Sequence, residues 1–198
     1  RFGGAWALYA DLLLRARQPR AALRASACAA WLDGRHLDQF MFCLQVRGQG
    51  APFASAPPAP ADLGLQALLR IVERVSEGEA SGALNLELED LERRHPEQLM
   101  IPCLNGVHAL VGKKLALARG PLAFAATQRP QGPLSYLAGK AYASLPDEER
   151  SPGTDTLAIL FLRAAKAAGL SWEEDAIREG LRRSAAWAWL ERPFDLAK

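Results

Sequence analysis

A chain of 198 residues, 49% hydrophobic and 23% charged, is long enough for one domain that buries roughly 70% of its unfolded surface, and this composition excludes long disorder and a fibrous class. A formal charge of +2 is too small to announce nucleic acid or an acidic membrane by itself, and no run approaches the ~20 apolar residues that a membrane span requires. Three cysteines, Cys28, Cys43 and Cys103, form no C-x-x-C pair, so neither a disulfide framework nor a zinc site is indicated and a reducing, cytoplasmic setting is expected.

The chain opens at Arg1 rather than Met, which leaves room for upstream residues, a cleaved signal included. Of its 24 cations, 19 are Arg, the better residue for bidentate phosphate or carboxylate contacts. A bacterial-like genome rich in Ala and Arg codons gives the same skew, and that plainer reading is favoured.

In chain order, residues 6–16 and 19–32 read as two helices, with Pro19 tolerable near the start of the second. Leu37, Phe40, Met41 and Leu44 fall at i, i+3, i+4 and i+7, which predicts a helix over 36–47 that ends at Gly48. Pro52, Pro57, Pro58 and Pro60 make 48–61 a loop or linker. After it Asp62 is a good N-cap, and Leu65, Leu68, Leu69, Val72 and Val75 form the cleanest apolar stripe in the chain. Residues 83–91 alternate like a strand at Leu84, Leu86 and Leu88 and repeat like a helix at Leu84, Leu88 and Leu91; helix is favoured.

The stretch 97–119 carries an apolar side interrupted by Pro102, Gly106 and Gly112, so a bent or broken helix is expected. Loops are expected at 127–133 and 146–153, around a short helix with Leu134, Leu137, Ala141 and Leu145. Thr154 starts a helical pattern that Gly169 closes, and Ser171 with Glu174 forms a capping box for a further helix. The expected fold is mainly α, an irregular bundle or array of about eight to nine helices. Its expected organisation is a helical subdomain over 1–47, the Pro-rich stretch 48–61 and a helical subdomain over 62–198, with a single compact domain as the alternative.

Reactive groups concentrate at Asp33, His36 and Asp38, where a carboxylate could orient the imidazole as a general base or the three could take a metal. The favoured alternative is that Asp33 caps the following helix at an Asp-Gly turn. His108 reads as a buried histidine with a partner, diverging from Cys103 by about 140° on one helix. His95 stands at a helix end, where an imidazolium complements the dipole. No metal-ligand spacing and no Gly-rich phosphate loop is present, so no metal, cofactor or small-molecule cofactor partner is expected.

Ala165, Gly169 and the following residues have the spacing of a helix-turn-helix, but Asp175 and Arg178 stand where that motif buries apolar side chains, and a plain hairpin is favoured. Two arginine groups remain: Arg15, Arg17, Arg20 and Arg24, whose only nearby acid in sequence is Asp11, and Arg178, Arg182 and Arg183, which have Glu174 and Glu179. Trp187 and Trp189 follow, about 200° apart on a helix, so one of them is a candidate contact. Three functional readings stand: a non-enzymatic helical subunit of a larger assembly that contacts nucleic-acid backbone through the arginines, a helical protein-binding module acting as adaptor or inhibitor, and an enzyme using Asp33, His36 and Asp38.

Overall fold

The computed structural model describes residues 2–46, 61–128 and 132–169. Among the described residues there are nine α-helices and no strand, a mainly-α array. The chain divides into two compact units, 1–112 and 113–198. The first holds α1 (Gly3–Arg15), α2 (Pro19–Leu32), α3 (Leu37–Val46), α4 (Leu63–Ser76), α5 (Gly82–Arg94) and α6 (Met100–Val111). In the second, the described helices are α7 (Leu115–Gln128), α8 (Gly132–Ala143) and α9 (Pro152–Ala167). The first unit thus spans both sides of the Pro-rich stretch, of which residues 47–60 lie outside the described residues.

In the first unit α2 is central, with α1, α3 and α4 packed on it. Its alanines, Ala21, Ala22, Ala25, Ala27, Ala29 and Ala30, are all buried. Small side chains lose no rotamer freedom and let neighbouring helices approach closely. Gln39 ties α3 to α1, its Nε2 donating to the Ala7 carbonyl at 2.8 Å and to Asp11 Oδ1 at 2.7 Å. At the end of α1 the Arg17 and Gln18 amides donate to the Leu14 and Leu13 carbonyls at 3.0 and 2.9 Å. That double bond pattern closes the helix through a left-handed residue, here Arg17 at φ 57.

Asp62 caps α4 by accepting from the Leu65 amide at 2.9 Å, and the whole expected stripe from Leu65 to Val75 is buried. In α5 the helical period wins over the strand-like alternation: Leu84, Leu88 and Leu91 are buried, whereas Leu86 is 66% exposed. Ser81 caps that helix through the Leu84 amide. The segment expected to be bent or broken is broken, α6 ending at Val111 and α7 beginning at Leu115 after Lys113 turns left-handed at φ 57.

Helix α7 continues to Gln128 through Gly120 and Pro121, a stretch whose composition conceals it; Pro121 has no N–H for the Leu117 carbonyl. In the second unit α8 packs on α9, with Ala143, Ala158, Ile159 and Leu162 as a core flanked by Tyr136 and Tyr142. Helix α9 begins at Pro152, ahead of Thr154, because Ser151 is its cap: Ser151 Oγ accepts from the Thr154 amide, and Thr154 Oγ1 accepts from the Ser151 amide. The Ser171–Glu174 box and the second helix of that hairpin lie outside the described residues.

Candidate interaction surface

Asp33, His36 and Asp38 surround the 3₁₀ turn Gly34–His36 between α2 and α3. Asp33 caps this turn, accepting from the Arg35 amide at 3.0 Å and from Arg35 Nε and Nη2 at 2.9 and 2.6 Å. The Arg35 guanidinium holds the Asp33 carboxyl well below the usual carboxylate range. Asp38 has a buried Oδ1 with no hydrogen-bond partner among the described residues, and burial pushes its carboxyl up. Among the described residues no hydrogen bond joins the His36 ring to either carboxylate. Asp33 is engaged by a guanidinium, and the turn serves local capping.

His108 is buried on α6, as is Cys103, whose thiol burial pushes up. Cys28 and Cys43 are likewise free and buried, the first pushed up to about 11 by desolvation. His95 caps the end of α5 edge-on to Trp31, ring centroids 5.0 Å apart, with Nδ1 3.9 Å from Glu97 Oε1. Its ring fills the space that a Cβ at Gly64 would need. Among the described residues no three His, Cys, Asp or Glu side chains gather where they could hold a metal ion.

The first arginine group divides. Arg24 pairs with Glu73 of α4, a counter-charge 49 positions away in sequence. Arg20 and Arg24 line a shallow cavity of about 210 Å³ with Leu23, Glu73, Ser76 and Glu77. That volume is below the range of about 300–1,000 Å³ usual for ligand pockets. Arg15 and Arg17, by contrast, are exposed and in no ion pair with a described residue. Arg178, Arg182, Arg183, Trp187 and Trp189 lie outside the described residues.

Beside Arg15 runs a feature that sequence reasoning missed. On α1 and its cap, Phe2, Leu8, Tyr9 and Leu12 are 73%, 62%, 41% and 54% exposed. At 100° per residue they fall within about 120° of one another. Gly3 and Ala10 on the opposite side, and Leu13 next to the Tyr9 edge of the stripe, are buried in the unit. Trp6 is half-buried, its ring centroid 6.2 Å from that of Tyr9.

The outward side of α1 is therefore an apolar stripe that includes an aromatic, Tyr9, flanked by Trp6. A helix apolar on all sides signals two buried faces, and within the described residues only one of them is covered. Comparison with protein-family models, curated proteins and solved structures returned no match.

Proposed function

We propose that the chain is a helical protein-binding module, and that the outward face of α1 is its contact surface. The exposed stripe of Phe2, Leu8, Tyr9 and Leu12 supports this reading. Contiguous apolar side chains on a surface mark interaction sites, and an aromatic at the centre is the usual energetic anchor of one. The competing reading, contact with nucleic-acid backbone, keeps Arg15 and Arg17, which pair with no acid among the described residues. Its premise that the first arginine group lacks nearby acid fails at Arg24, which Glu73 neutralises, and it gives the apolar stripe no role.

Two measurements separate the readings. The chain carrying Leu8→Asp with Leu12→Asp keeps its fold, both sites being exposed, and is expected to lose a protein that the parent retains in affinity purification; retention of every partner contradicts the proposal. Titration against labelled single- and double-stranded DNA and RNA at low salt is expected to give no binding. Salt-sensitive binding abolished by Arg15→Glu with Arg17→Glu would establish the nucleic-acid reading instead.

A further inference from the structure

We infer that the α1 face takes an acidic amphipathic protein segment, whose apolar side chains cover Leu8, Tyr9 and Leu12 and whose carboxylates meet Arg15 and Arg17. This rests on the protein-binding reading and names the chemistry of the partner. Charge complementarity carries it. The stripe itself bears no charge. Arg15 lies on its edge one turn beyond Leu12, and Arg17 lies just past the helix end; both are exposed and in no ion pair with a described residue. Asp11, the acid of α1, is engaged by Gln39 Nε2 at 2.7 Å.

Arg17 adds a second observation. Its φ of 57 is a conformation that glycine adopts without strain; the chain places glycine there after α4 and α9, at Gly78 and Gly169, and a second cation, Lys113, after α6. An arginine at such a position carries strain that glycine would relieve. A cation near a helix C-terminus also complements the dipole, but Arg15 already supplies one.

Guanidinium groups match carboxylates in bidentate geometry. A nucleic-acid backbone would engage the arginines and leave the stripe in water. An anionic lipid surface calls for cations along the length of the helix, whereas here they gather at its C-terminal end. A protein segment with apolar anchors and terminal acid uses every part of the surface.

The test is selection from random peptides of about 16 residues displayed on phage, a length that spans α1, panned on the full chain. Enriched sequences are expected to combine an excess of Asp and Glu with apolar residues at helical spacing. Synthetic copies should lose affinity about tenfold or more toward Arg15→Glu with Arg17→Glu, and toward Leu8→Asp with Leu12→Asp. Far-UV circular dichroism confirms that both variants are folded. Neutral or basic peptides that bind the charge-reversed chain unchanged overturn the acidic partner and leave the protein-binding reading standing. No enrichment, or binding indifferent to Leu8→Asp with Leu12→Asp, overturns both, and in that case phosphatidylserine vesicles and duplex DNA are the alternatives to titrate.

Discussion

Arg17 closes α1 in the left-handed conformation, with the amides of Arg17 and Gln18 satisfying two of the last helical carbonyls. Replacing it by glycine keeps those bonds and removes the clash of Cβ with the backbone, which costs about 1–2 kcal/mol. The extra freedom glycine gives the unfolded chain returns part of that gain. Arg17→Gly is therefore expected to stabilise the chain by about 0.5–1 kcal/mol in urea melts while weakening the selected peptides; no gain in stability would contradict strain at this position.

Glu79 gives a pH signature. Its carboxylate accepts from Arg74 Nε and Nη2, both at 2.7 Å, and from Ser81 Oγ, and Arg74 above all pulls it down to about 2 from the ordinary 4.5. Because the folded value is the lower one, the stabilisation is complete above 4.5 and is lost as pH falls from 4.5 through about 2. Glu79→Gln should therefore be less stable than the parent at pH 7 and equal to it near pH 2. A gap that persists unchanged at low pH would contradict the pairing. The Asp62 cap was legible in sequence because a cap and its amide are neighbours, whereas Asp33 caps the 3₁₀ turn and not the helix from Leu37 that the sequence suggested. Arg24 with Glu73 was not, since nothing local announces a partner 49 residues away.

Among the elements, α8 and α9 approach closely because Gly139 has no side chain. A Cβ there would stand 2.7 Å from Leu162 Cγ and 3.1 Å from the Ala158 carbonyl oxygen. Gly139→Ala is expected to cost about 1–3 kcal/mol through overpacking, read as a lowered midpoint in thermal unfolding; an unchanged midpoint would show that the helices separate freely. Periodicity located α4 and decided α5, where three leucines repeat on one side. It failed in α7, where Gly120 and Pro121 break the local signal yet tertiary packing keeps the backbone helical. It was silent about α1, since a helix apolar all round does not say which side the rest of the unit covers.

For the whole molecule, the mainly-α class followed from helical spacing repeated along the chain, and no described helix is long and apolar enough to cross a membrane. The proposed contact surface did not follow, because it depends on α1 turning Ala10 and Leu13 inward and Leu8 and Leu12 outward, a choice made by its packing on α2. The tryptophans and arginines beyond residue 169 that sequence analysis singled out lie outside the described residues. The protein-binding reading therefore stands on one helix face.

A photoreactive benzophenone side chain at position 12, compared with one at position 70 on the exposed side of α4, interrogates that face in an extract of cells that make the chain. A discrete protein adduct from position 12, absent from position 70, is the outcome expected of a docking surface on α1. Adducts of equal yield from both positions, adducts with nucleic acid alone, or none from position 12 would contradict it.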